Sequence, residues 1–174
     1  MIFLRILFYI VIFIITLIYF LPKNDLVSYV NSKVLAQYKI NTKIKLENDM
    51  LNYVSSNSSI SYQKNLVANV GTLNVSPYIL FNEIKLTNIN LKGMAGSLFP
   101  SKITHARLLY SVIDPTKINI TIEGDFGKAI GYFDILSSLV HLEVTPSRTL
   151  QKNYSFLLKY MKKSKKSYIY EYKL

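Results

Sequence analysis

The stretch KITHARLLYSVIDPTKINITIEGDFGKAIGYFDI, Lys102 to Ile135, decides the fold. Ala106, Leu108, Tyr110 and Val112 alternate with His105, Arg107 and Ser111, the period of two that marks a strand with one wet face. Asp114-Pro115 is expected to turn the chain, after which Ile118, Ile120 and Ile122 form the apolar face of the next strand. Gly124-Asp125-Phe126-Gly127 reads as a hairpin turn, Ile130 to Ile135 as the return strand, and Leu139 to Val144 as the strand that pairs after it. Connections this short join antiparallel neighbours, so an antiparallel meander is expected.

Upstream, Ile79 to Leu91 reads as a strand whose alternation slips phase. Ile84 and Leu86 share one parity and Ile89 and Leu91 the other, which predicts a bulge near Thr87-Asn88. Gly93 to Pro100 reads as a loop. Short strands parted by Ser, Asn and Gly are expected at Tyr53–Ser55, Ser59–Lys64, Leu66–Val70 and Thr72–Ser76, and a half-wet strand at Ile40–Glu47. Downstream, Thr145-Pro146 reads as a helix start, with Leu150, Tyr154, Leu157, Leu158 and Met161 as one apolar stripe and lysines on the opposite face. Alternating Tyr168, Tyr170 and Tyr172 predict a last strand.

The chain opens on an apolar run, Ile2 to Leu21, interrupted only by Arg5 and Thr16. A bilayer core needs roughly 20 apolar residues as helix, and Tyr9 and Tyr19 suit the interfaces. The run ends in Leu21-Pro22-Lys23-Asn24-Asp25, with no small-x-small site, so it reads as an uncleaved anchor rather than a signal peptide. Leu26, Val27, Val30, Val34, Leu35 and Tyr38 then recur at helical spacing. The expected organisation is an anchor over residues 1–22, an amphipathic helical spacer over 23–39 and a β-rich domain over 40–174. The fold class expected is mainly β (α+β): a transmembrane helix, an antiparallel, curved or groove-like sheet, and one C-terminal amphipathic helix. A short N-terminal flank favours a single-pass inner-membrane protein with its body in the periplasm.

The formal charge is +11, and from Arg148 to Leu174 eight Lys and Arg stand against Glu171 alone. Only Arg5, Arg107 and Arg148 are arginines, and base readout favours arginine forks, so no nucleic-acid partner is expected. Two readings suit the lysines better: a plain solvated helix face, or contact with anionic lipid headgroups through Lys159, Lys162, Lys163, Lys165 and Lys166. The chain has no cysteine, which excludes disulfides and cysteine-ligated zinc.

The sequence assembles no catalytic set. His105 and His141 have no second ligand at metal spacing, although His141 and Glu143 share a strand face. Asp125-Phe126-Gly127 lacks the other parts of a kinase, and Gly124, Gly127 and Gly131 miss the dinucleotide spacing. No enzyme activity, cofactor or metal is therefore expected. The apolar strand faces either form a groove for acyl chains, lined by Ile84, Leu86, Leu108, Tyr110, Ile118, Ile120, Ile122 and Phe133, or are covered by a helix such as Leu150 to Lys163.

Leu21-Pro22, Phe99-Pro100-Ser101-Lys102-Ile103 through Tyr110, Glu123-Gly124-Asp125-Phe126-Gly127 and Val144-Thr145-Pro146-Ser147 resemble the C-terminal part of type II secretion system protein N-like proteins, which are similar in turn to AsmA-like inner-membrane proteins. The resemblance spans about residues 20 to 150; this chain is shorter and lacks the Trp-containing signature of protein N, having no Trp. It implies an inner-membrane anchor, a groove-shaped periplasmic sheet and a non-catalytic role in protein secretion or envelope biogenesis. The partners expected are membrane lipid and other envelope or secretion proteins. Two alternatives stand beside it: a lipopolysaccharide-transport bridge component resembling LptC, joined edge to edge with other sheets, and a membrane-tethered enzyme.

Overall fold

The computed structural model describes Ser32 and residues 39–49, 52–78 and 80–173. The expected anchor and nearly all of the spacer lie outside the described residues. Among the described residues no helix is long and apolar enough to cross a membrane.

The body is one antiparallel, open, eleven-stranded sheet. Its strands are β1 (Ile40–Lys43), β2 (Glu47–Asp49), β3 (Asn52–Tyr62), β4 (Asn65–Pro77), β5 (Phe81–Leu91), β6 (Lys102–Ser111), β7 (Asp114–Gly124), β8 (Gly127–Asp134), β9 (Leu139–Pro146), β10 (Lys162–Lys163) and β11 (Tyr168–Lys173). From β3 to β9 every strand pairs with its sequence neighbour, then β11 follows β9 and β10 lies outermost. At the other edge β1 and β2 both pair with β3. Among the described residues three short helices accompany the sheet: α1 (Gly93–Leu98), α2 (Arg148–Asn153) and α3 (Ser155–Leu158).

Register shows which side chains share a face, because directly opposed residues point the same way. Ile84, Leu108 and Ile120 form one row; Leu86, Ala106, Ile122 and Ala129 form the next; Tyr110, Ile118 and Phe133 a third. The opposite face carries Lys85, Arg107, Thr121, Glu143 and similar polar residues. The meander and its one apolar face thus follow from alternation, as expected.

The phase slip near Asn88 is present, but it is no isolated bulge. Asn57, Gly71, Asn88 and Thr104 fall on one line across β3 to β6, because pairing stays in step on either side of each. The inward set changes parity at this line in every strand: Tyr53 and Ser55 give way to Ser58 in β3, and Leu73 gives way to Val70 in β4. Asn57 and Asn88 adopt positive φ, 55° and 52°, a region that Asn tolerates and β-branched residues do not. A Cβ on Gly71 would meet the Asn88 Cβ at 2.9 Å, which explains the glycine between them. The line ends in a bulge between β6 and β7, where Ile103 and His105 face Gly124 and Glu123. A second irregularity lies where Tyr110 and Ser111 face Ile118 and Asp114, and from Lys117 onward β7 to β9 stay in step.

Several expectations are corrected. The four short strands between Tyr53 and Ser76 are two long ones, joined by a tight turn at Gln63-Lys64 with φ of 49° and 69°. Such turns favour Asn-Gly, so Gln-Lys carries no turn signal and Lys64 reads as strand. The single strand expected at Ile40–Glu47 is interrupted between β1 and β2. Gly93 to Pro100 holds α1 rather than only loop. The chain turns at Val112-Ile113, just before Asp114-Pro115, which already belongs to β7.

The expected long C-terminal helix is two short ones followed by a hairpin. Ser147, not Thr145, caps α2: its hydroxyl accepts the Leu150 N–H at 3.1 Å and donates to the Asp125 carbonyl. Tyr154 then ends α2 and starts α3 with φ −130° and ψ 28°. Continued helix would have stacked Lys159 on Lys163 and Lys162 on Lys166, like charges four residues apart that disfavour it. The apolar stripe survives the break. Leu150 is buried against Ala129 and Val144, with Tyr154, Leu157, Leu158 and Met161 around it.

Candidate lipid site on the apolar face

Two clusters bury the centre of the apolar face. Ala68, Val70 and Ile89 form one, with Ile60, Leu86 and Ile103 against it. The second is the Ala129–Val144–Leu150 cluster beneath the helices. Between the two lies a cavity of about 630 Å³. Its floor is sheet: Ile103, Ile122, Ala129, Leu142, Val144 and Tyr170. Leu150, Leu157, Tyr160 and Met161 roof it, and Leu91, Phe99 and Pro100 close one side. The volume falls inside the roughly 300–1,000 Å³ typical of small-molecule sites, and the lining offers almost no polar atom.

All eight residues expected to line a groove lie on this face. Only Ile122 reaches the cavity. Ile84, Leu86, Leu108, Tyr110, Ile118, Ile120 and Phe133 extend the apolar face away from it, half-buried, towards the opposite end of the strands. Sequence reasoning missed Phe99, Pro100 and the roof. Alternation identifies a strand face, whereas these residues come from a connection and from helices whose docking is a tertiary matter.

Lys159, Lys162, Lys163, Lys165 and Lys166 are all exposed, and only Lys159 is next to a helix. The others belong to the β10–β11 hairpin, which corrects the helix-face placement. Among the described residues none of the five is ion-paired. Lys159 lies between Leu157 and Tyr160 of the cavity roof, and Lys163, opposite Tyr168, shares the cavity's face, whereas Lys162, opposite Ile169, shares the polar face with Glu143.

The polar face carries the titratable groups, spread out rather than gathered. Arg107 and Glu143 share a row but lie on β6 and β9, three strand spacings or roughly 14 Å apart. His141 meets Glu171, with Nδ1 2.8 Å from Oε1, and stacks on Tyr132; Glu143 instead accepts the Ser167 hydroxyl. Burial works to raise the Glu83 carboxyl, but hydrogen bonds and charge from Lys85 and Arg107 outweigh it and hold it below the ordinary carboxylate range. No group of three or more metal-ligating side chains occurs among the described residues.

The architecture is thus an open antiparallel meander with a helix-roofed apolar cavity at one end of one face. Compared with protein-family models, curated proteins and solved structures, the chain matches none.

Proposed function

We propose that this chain is a single-span, non-catalytic accessory of the inner membrane, serving protein secretion or envelope biogenesis, whose periplasmic β-domain holds a lipid acyl chain on its apolar face. The cavity carries this reading. An apolar hole with the exposed Lys159 and Lys163 on its side of the sheet suits a molecule with a hydrocarbon tail and an anionic head. Each methylene transferred from water into such a site contributes about 0.8 kcal/mol, whereas each nearby lysine adds about 1 kcal/mol for an anionic headgroup. Tail burial therefore dominates affinity and the lysines select the head.

Native mass spectrometry of the full chain extracted in mild detergent tests this. A co-purified lipid is expected, lost when the cavity is filled by Ala129→Phe in the floor or Leu157→Trp in the roof. Absence of any lipid from the unaltered chain, or retention in both folded variants, would refute it. Replacing Lys159 and Lys163 by Gln should shift the bound lipid from anionic towards zwitterionic.

Edge-to-edge assembly in the manner of the LptC-like reading is favoured by one observation. The outermost strand β10 covers only Tyr168 and Ile169 of β11, and the free edge of Tyr170–Lys173 offers backbone groups for strand addition. Disulfide trapping between a cysteine at Tyr172 and one placed on a partner's edge strand tests it; absence of any such adduct with envelope partners would remove it.

A further inference from the structure

Antiparallel hairpins alternate between two ends of a sheet, and at one end of this sheet the tips carry aliphatic side chains where turn chemistry favours Gly, Asn or Asp. The β4–β5 tip presents Leu80, the β6–β7 tip Ile113 and the β8–β9 tip Leu136, at 63%, 89% and 81% exposure. Neighbouring tips are two strands apart, roughly 10 Å, so three greasy points stand in a line. We propose that this edge enters a lipid bilayer tips-first, placing the apolar face of the sheet end-on to the membrane.

Three observations favour lipid as the occupant over a protein. First, the tip backbones bring their own hydrogen-bond partners, as a segment entering hydrocarbon must. Val112 N–H donates to the Leu80 carbonyl at 3.1 Å, which also ties two tips together; Ile113 N–H donates to Ser111 Oγ, Ile135 N–H to the Thr116 carbonyl and Ser137 N–H to Asp134 Oδ1. Second, aromatic rings sit just behind the tips. Tyr78 and Phe81 pack at 4.8 Å between ring centroids, and Tyr110 and Phe133 share the row with Ile118, the depth at which aromatic belts meet headgroups. Third, charge near the tips is balanced, Asp114 and Asp134 against Lys117 and Lys173, which suits a zwitterionic surface and limits entry to the tips themselves.

Chain length allows the geometry. Residues 22–38 link the apolar run to the first described strand and reach up to roughly 60 Å when extended, more than the roughly 36 Å of an eleven-residue strand, but only roughly 25 Å as a continuous helix. The bilayer that takes Ile2 to Leu21 is therefore within reach of the tips when this spacer is largely extended, and a helical spacer leaves the tips to a second bilayer. This reading is independent of whether the cavity holds lipid.

The chain has no Trp, so a single introduced tryptophan is a unique reporter. Ile113→Trp and Leu136→Trp in the full chain, reconstituted in phosphatidylcholine nanodiscs, are expected to emit blue-shifted and to be quenched by lipids brominated on their acyl chains. Lys64→Trp, at the opposite end, is expected to stay red and unquenched. Bromolipid placed in the disc or only in added vesicles distinguishes the anchoring bilayer from a second one, and quenching in either arm supports the proposal. Blue-shifted but unquenched tips, as a protein partner or second copy would give, overturn it. So do unshifted tips, or equal quenching at Lys64→Trp, which would mean a sheet lying flat. In the unaltered chain, hydrogen exchange at residues 112–113 and 135–137 should slow on reconstitution; unchanged exchange also overturns the proposal.

Discussion

Leu150→Ala should release the helical roof and leave the sheet standing. Leu150 is 2% exposed and is the side chain through which α2 reaches Ala129 and Val144. Truncating a buried leucine costs about 2–5 kcal/mol, from lost transfer energy and the hole left behind. The roof has little else to hold it: α2 and α3 have six and four residues, too short to persist alone, and their remaining packing residues are only partly buried. The sheet, by contrast, is bonded strand to strand from β1 to β10. Local opening of the roof therefore becomes less costly than global unfolding, and the loss seen in a global denaturation curve should saturate below the full cavity cost. Hydrogen exchange with peptide resolution is the assay. Protection in 148–161 should collapse while β4 to β8 keep theirs. Equal loss of protection in roof and sheet, or an unchanged roof, would refute the argument that one leucine pins the cavity shut.

Asn88→Val should destabilise the sheet by about 1–2 kcal/mol, since a β-branched residue is forced to positive φ, whereas Asn88→Gly should be near neutral in thermal melts. Ser147→Ala removes the cap of α2 and should cost about 1 kcal/mol, read as faster exchange confined to the roof. Glu83 has a folded-state pKa below its unfolded one, so its stabilisation is present above the unfolded value and is lost as pH falls through the folded value. Lys85 and Arg107 are about half exposed, so Glu83→Gln should cost about 1 kcal/mol at neutral pH and nothing in strongly acidic buffer; a cost independent of pH would contradict the ion-pair assignment.

The sheet and its apolar face were legible in the sequence because a strand's two faces are written in alternation. Ile118, Ile120 and Ile122 named a face before any partner was known, and the phase slip at Ile84–Leu91 located Asn88. What the slip meant was not legible: one strand shows a change of parity, and only pairing reveals that Asn57, Gly71 and Thr104 share the line. Turns were read well where Gly marked them, at Gly124 and Gly127, and missed at Gln63-Lys64 and Val112-Ile113, whose residues are chosen against turn preference. The roof was half read. Its stripe from Leu150 to Met161 was plain, but the break at Tyr154 depends on fitting that stripe to a particular stretch of sheet.

A meander in which β3 to β9 each touch their sequence neighbours has low contact order. Such a sheet can zip up hairpin by hairpin as the chain emerges, with no distant segment to await. It also behaves as a nearly one-dimensional stack, whose stability is a sum over adjacent pairs. Gaining or losing one hairpin would change the width of the apolar face by roughly 10 Å while leaving every other pairing intact. The architecture is therefore easily resized in evolution, and the width of its apolar face is set by a count of hairpins rather than by a redesigned core.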